Sequence, residues 1–579
     1  MLGTLSRNLL PARLLAALCA LLVAAIAAPA LASAPNNLVA PSGLTNVIVR
    51  GEAGMLVPLE HSTIRAGGTV VRELRLIDGF SASIPFAKLA GIRALPGVIA
   101  VSPDASVSLH SDYNPGADPY SMANTATAVG AAAAWAAGIT GAGVDVALVD
   151  SGVTPVQGLA GDGKIVNGPD LSVDSENPSV RYLDGFGHGT FMAGLIGARD
   201  PGADPSHPGS SYLGMAPDAR IVNVKVGSAA GAVDVSQVIA GIDWVVEHRH
   251  DNGLNIRVLN LSIGTNSNQS YQLDPLAFAA EVAWRSGIVV VAAVGNSGAT
   301  YGHLDDPASD PFVIAVGASA SSGGTLLSSL LVAAFSSLGD GTRNPDLIAP
   351  GSHLQGLRVP GSYIDQNFPS AAFGDRFFRG SGTSEAAALT SGAVALILQK
   401  RPALSPGQVK AILMQTAAAL PLVPVKAEGA GILRLGVAVS DALSVPDGGQ
   451  RFGSSNGAGS LEDARGDKHV SINGVPLTGE QDIFGHAFSA SDHAAKSANG
   501  QGWSDGGWNG ASLSGTTWSG TTWSGTTWSG TTWSGTTWSG TTWSGTTWSG
   551  TTWSGTTWSG TTWSGTTWSG DLWSNYSWS

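Results

Sequence analysis

Apolar residues fall into two kinds of stretch along this chain. Short runs closed by glycine or polar residues, VDVALVD at 144–150, RIVNVKV at 220–226, VLNLSI at 258–263, IVVVAAV at 288–294 and FVIAVGA at 312–318, read as strands buried on both faces. Between and after them, 236–249, 276–286, 384–399 and 405–415 read as helices, the last opened by Ser405-Pro406 as cap and first-turn proline. Strands alternating with helices predict an α/β domain over 123–443, a doubly wound, mostly parallel sheet covered on both faces. The helix at 384–399 has no polar face before Gln399 and Lys400, so it is expected to be buried nearly all round. Gly380, Ser381, Gly382 and Thr383 lead into it, and Ser384 stands where it begins. There Ser384 reads either as an N-cap or as a nucleophile at the positive end of the helix dipole.

The flanking regions differ in pattern. NVIVRG at 46–51, an amphipathic stretch at 55–65, two strands in 69–85 turning at Asp78-Gly79, a helix at 86–94 and a last strand region at 97–109 give the order β-α-β-β-α-β. That order is the one of a small α+β ferredoxin-like unit, placed at 35–112. Residues 113–122 are a linker rich in Pro, Gly and Asp, and 444–501 read as a polar linker holding one hairpin at Asn473-Gly474. The tail, 502–579, carries Trp at intervals of five, mostly as TTWSG. A period of five keeps Trp on neither a helix face nor a strand face. The tail reads as low-complexity and disordered, as a glycan- or wall-binding array of stacking indoles, or as a β-solenoid of pentapeptides.

Composition narrows the setting. Arg7 and Arg13 precede an apolar run at 14–28 and small residues ending at Ala32 or Ala34, which makes 1–34 a secretory signal peptide. The single cysteine, Cys19, lies inside it, so the mature protein is expected to be secreted, extracellular and without disulfides. A net charge of −13 argues against nucleic acid or an anionic membrane as partner. Acidic residues are scattered and no loop has an EF-hand-like run of ligands. No cofactor or metal site is therefore expected, with a structural calcium left open. Arg465-Gly466-Asp467 matches an adhesion tripeptide, a match expected by chance in a polar loop.

Four residues at element ends supply the roles of acyl transfer. Asp150 ends a strand, His188 lies in a Gly-rich lead into a helix of small residues, Asn296 follows a strand, and Ser384 opens the buried helix. Each alone is ordinary: a turn carboxylate, a packed histidine, a loop amide, a cap. Together they give a hydroxyl, a base titrating near neutrality, a carboxylate to fix its tautomer, and donors for an oxyanion.

On three blocks, VALVDSGV, GHGTFMAG and GSGTSEAAALTSG, the chain resembles the subtilisin-like serine peptidases, or subtilases. Their order, Asp then His then Ser, is itself known for subtilisin. The resemblance implies a secreted serine endopeptidase acting on proteins or peptides with a neutral to alkaline optimum. It makes Asp150, His188, Ser384 and Asn296 catalytic. It also implies that Ser262, Ile263 and Gly264 pair with the substrate backbone, that Ala293, Val294 and Gly295 form a pocket wall, and that 35–112 are an inhibitory prodomain. Those pocket segments carry no carboxylate, so an apolar or aromatic residue is expected on the acyl side of the cut bond. Two positions depart from the family pattern: Phe191 where His is usual and Glu385 where Met is usual. The acid-active sedolisins place Glu and Asp where this chain has His188 and Asn296, which argues against them. The rival reading is a catalytically idle scaffold presenting a wall- or glycan-binding tail.

Overall fold

The structure is a computed structural model that describes residues 43–104, 115–207, 211–321, 330–472, 475–504 and 507–512, with short strand backbones within 527–569. The expected signal peptide and most of the repeat tail lie outside the described residues. The chain forms two units, 1–111 and 112–579.

In the first unit β1 (Leu44–Gly51), α1 (Leu56–Arg65), β2 (Thr69–Leu74), β3 (Gly79–Pro85), α2 (Leu89–Arg93) and β4 (Val98–Pro103) follow in chain order. The sheet is antiparallel with order β2-β3-β1-β4. Inward residues Val47, Val49, Phe80 and Ile84 meet Leu59, Leu89 and Ile92 of the helices in one small core. The chain turns between β2 and β3 at Asp78, whose φ of 48° lies in the left-handed region that Asp tolerates.

The second unit is built on β5 (Asp145–Asp150), β6 (Ile165–Asp170), β7 (Arg220–Lys225), β8 (Ile256–Leu261), β9 (Val289–Ala293), β10 (Ile314–Ser321) and β11 (Leu330–Val332). Their order is β11-β10-β9-β8-β5-β7-β6, and β12 (Leu347–Pro350) pairs in parallel with β10. Only the edge strand β11 runs antiparallel within that sheet. The helices are α3 (His188–Gly197), α4 (Val235–His248), α5 (Pro275–Arg285), α6 (Thr383–Lys400) and α7 (Pro406–Thr416). A Cβ on Gly241 of α4 would meet Val224, and one on Gly197 of α3 would meet Ile221. Three positions apart on β7, those side chains point to opposite faces, so α3 and α4 lie on opposite faces of the sheet, with α5 packed beside α4. Helix α6 packs with α3. It is buried without a break from Thr383 to Leu398, the arrangement its missing polar face calls for.

The segment read as a polar linker carries α8 (Leu461–Arg465) and α9 (Ala490–Ser497), and the start of the tail adds three short antiparallel strands, β13 (Trp503–Ser504), β14 (Gly507–Trp508) and β15 (Ala511–Ser512). Arg465 is fully buried. It donates to Asp234 (2.7 Å) and to the carbonyls of Gly479 (2.7 Å) and Gln481 (2.6 Å). The arginine of the tripeptide that matched an adhesion motif is thus an internal anchor. Trp503 and Trp508 are buried against α4, their indole N–H groups donating to the Ala240 carbonyl and to Asp243, both at 2.8 Å. Ser497 donates to the other oxygen of Asp243 (2.5 Å). The first two tryptophans of the periodic array belong to the folded body. Further on, Thr527–Trp533 pairs antiparallel with Thr536–Thr542.

Candidate active site

The C-terminal ends of β5, β8 and β9 and the N-terminal ends of α3 and α6 converge where the strand order reverses, the place where open α/β sheets bind ligands. Asp150, last residue of β5, is 3% exposed. Its Oδ1 accepts from the Ser151 N–H (2.8 Å) and lies 2.7 Å from His188 Nδ1. Burial alone would lower the pKa of His188, but the Asp150 charge and hydrogen bond, with Glu385 and Asp184 adding, raise it to about 9. Asp184, not singled out by the sequence pattern, holds the histidine loop. It accepts from Ser151 Oγ (2.8 Å), Gly187 N (2.6 Å) and Thr190 N (2.7 Å). Ser151 Oγ in turn accepts from Gly189 N (3.0 Å).

Ser384 lies in the first turn of α6 and is 8% exposed. Its hydroxyl donates to the Ser262 carbonyl, and Ser262 Oγ donates to the Ser384 carbonyl, each at 3.0 Å. The helix has no side-chain cap of its own: Gly382 precedes it in extended backbone. Asn296 fills that role from outside, its Oδ1 accepting from Thr383 N (2.8 Å) and Thr383 Oγ1 (3.1 Å). With the oxygen so used, the Nδ2 group of Asn296 remains as a donor beside Ser384.

The two departures from the family pattern meet each other. Glu385 is 6% exposed, Phe191 2%. A Cβ on Gly380 would overlap both the Glu385 carboxylate and the Phe191 ring, one on Gly356 the Phe191 ring, and one on Gly382 the Glu385 carboxylate. Three glycines thus make room for this pair. Burial raises Glu385 to about 7, against the opposing effect of His188.

Ser262, Ile263 and Gly264 leave the sheet just after β8, while Ala293 ends β9 and Val294 and Gly295 follow it. Gly295 has both backbone groups engaged, with Thr383 Oγ1 (3.2 Å) and Ser337 N (3.0 Å). A group that neither segment carries reaches both of them. Asp305 donates its N–H to the Val294 carbonyl (3.0 Å), while its neighbour Asp306 exchanges two backbone bonds with Thr265 (3.0 and 2.8 Å). Asp305 is thereby laid between the two segments, its carboxylate against the Cα of Gly295 and its Cβ near Gly264. Burial raises its pKa to about 6, with His303 and Lys468 opposing. Among the described residues no group of three or more His, Cys, Asp and Glu is placed to hold a metal ion.

The model of the subtilase family matches residues 141–459. The chain is 37% identical over 281 residues to the serine protease AprX of Bacillus subtilis, covering 48% of this chain and 61% of that protein. It is 34% identical over 294 residues to subtilisin Savinase of Lederbergia lenta, covering 50% of this chain and 90% of that one. The chain therefore spans less than two thirds of AprX. A solved structure, that of fervidolysin from Fervidobacterium pennivorans, aligns at a TM-score of 0.46 and 25% identity, covering 70% of this chain and 62% of that one. With a family match over more than half its length, this α/β chain belongs to the subtilase family.

Proposed function

We propose that this protein is a secreted serine endopeptidase made as a zymogen, with Ser384 as nucleophile, His188 as base, Asp150 as its orienting carboxylate and Asn296 as an oxyanion donor. The observation that carries the reading is the 2.7 Å pair of buried Asp150 and partly exposed His188, within electrostatic reach of Glu385, the residue after Ser384 at the start of a buried helix. In the reaction the Ser384 hydroxyl leaves the Ser262 carbonyl and gives its proton to His188 Nε2 as Oγ bonds to the scissile carbonyl carbon. Asp150 keeps the proton on Nδ1 and stabilises the imidazolium. The carbonyl oxygen, now negative, is met by Asn296 Nδ2 and the Ser384 N–H. The C–N bond then breaks as His188 protonates the departing amine, and a water activated by the same base releases the acyl group.

Around this centre, Ser262–Gly264 are read as the edge that pairs with the substrate backbone, and Ala293, Val294 and Gly295 as a pocket wall. Residues 35–112, with their own core, are read as the inhibitory prodomain, and 1–34 as the signal peptide. The repeats beyond 512 are assigned a contact with cell wall or glycan. The test is labelling of the purified protein with a serine-directed fluorophosphonate. Labelling is expected in the wild type and lost in Ser384→Ala. A wild type that neither labels nor cleaves peptides would leave the idle-scaffold reading in its place.

A further inference from the structure

We propose that Asp305 is the specificity-determining group of the acyl-side pocket, selecting a Lys or Arg side chain immediately before the cut bond. The inference rests on the proposed catalytic centre and deepens it. An acyl carbon bound to Ser384 with its oxygen on Asn296 places the preceding side chain between two segments. One is 262–264, bonded to Ser384 in both directions, and the other is 293–296, which ends in Asn296 itself. The walls there are nearly bare of side chain at Gly264 and Gly295, and a Cβ on either would meet Asp305. The group that occupies that space is the Asp305 carboxylate.

Three observations make this carboxylate a ligand rather than a structural acid. Its backbone is fixed from both sides, by Val294 and through Asp306 by Thr265, so its position between the walls is set by the fold. Its Oδ1 is buried and has no hydrogen-bond partner, unlike the acceptor-saturated Asp184. The cations that face it are His303 and Lys468. Lys468 is exposed and held by Asp467 at 3.0 Å, which itself accepts from Tyr301 (3.3 Å). A half-buried carboxylate without a partner is unfavourable, and a cationic substrate side chain supplies the missing partner.

The sign of the pH dependence follows. A bound cation favours the ionised carboxylate, so selection of Lys or Arg is present above about pH 6 and fades as Asp305 is protonated below it. The Asp306 carboxyl next in the chain is buried beside Asp274 and its pKa is raised, so it adds little negative charge in that range.

The experiment uses the processed full-length enzyme and paired peptide substrates differing only in Arg, Lys or Phe before the cut bond. In the wild type kcat/KM for Arg and Lys is expected to exceed that for Phe at pH 8. In Asp305→Asn the Arg-to-Phe ratio is expected to fall by about 30-fold or more. The wild-type ratio, which needs no variant, is expected to fall between pH 7 and pH 5. A wild type that prefers Phe at pH 8, or a ratio that neither the substitution nor acid changes, would overturn the proposal. If the wild type neither turns over any of the three nor labels with fluorophosphonate, the catalytic centre is what fails, and this pocket with it.

Discussion

Glu385 sits one residue past Ser384, the proposed nucleophile, and its negative charge raises the pKa of His188. Since the base must be neutral to accept a proton, activity rises as pH passes upward through the histidine pKa of about 9. Glu385→Gln is therefore expected to move the acid limb of the kcat/KM profile toward lower pH by a fraction of a unit. A profile that does not move would make Glu385 a packing residue for Phe191. Ser384→Ala or His188→Ala is expected to lower turnover by about a million-fold, a magnitude known for subtilisin rather than obtained from this structure. Active-site titration and initial rates check it. What the chain pattern discloses at this scale is each residue that ends an apolar strand or opens a helix: Asp150, His188, Asn296 and Ser384 stand there in the structure. Asp305 stands on a loop nine positions past Asn296, inside no apolar run. Backbone pairing with Val294 and Thr265, not local sequence, brings it to Gly295. That is why the pocket segments read alone lead to an expectation of apolar substrates, while Asp305 leads to the proposal of basic ones. Asp184 was hidden for the same reason, its value lying in three donors that only the folded loop presents.

Between elements, the contact that sets the nucleophile is a buried polar chain linking α6 to β8. Ser391 donates to Asn260 Oδ1 (2.8 Å), Asn260 Nδ2 donates to Ser262 Oγ (2.9 Å), and that hydroxyl donates to the Ser384 carbonyl (3.0 Å). Asn260 is fully buried, so Asn260→Ala is expected to cost about 1–3 kcal/mol for each hydroxyl it leaves unpaired. Denaturant unfolding in a Ser384→Ala background, where self-digestion is absent, would measure it. The five central strands and the long helices of the second unit were legible because their periods differ and their ends are marked: α7, for instance, begins at Pro406 after a Ser405 capping box; β6, β11 and β12, which lack such an apolar run, were not. The extension after 443 was not, since its Gly, Ser and Asp bury side chains one at a time. Arg465, an apparent surface charge, becomes internal only because Asp234 and two carbonyls wait on other segments.

For the molecule as a whole, one cut separates body from tail. Removing 513–579 is expected to leave turnover of a soluble peptide unchanged, because the described body closes at Ser512. Trp508→Ala, within that body, is expected to destabilise by about 3–5 kcal/mol, read as a lower unfolding midpoint. At the other end, isolated 35–112 added to mature enzyme is expected to inhibit at micromolar levels; full activity there would assign that unit some other task. The docking of Trp503 and Trp508 has a mechanical consequence. They seat on α4, on the face of the sheet opposite α3 with its His188, while Ser384 opens the helix packed with α3. Any pull on the repeats enters the body at that indole clasp and is taken up by α4 and the strands behind it. A load applied through the tail would thus enter on the far side of the sheet and reach Ser384 only through β8 and the Ser262 bonded to it.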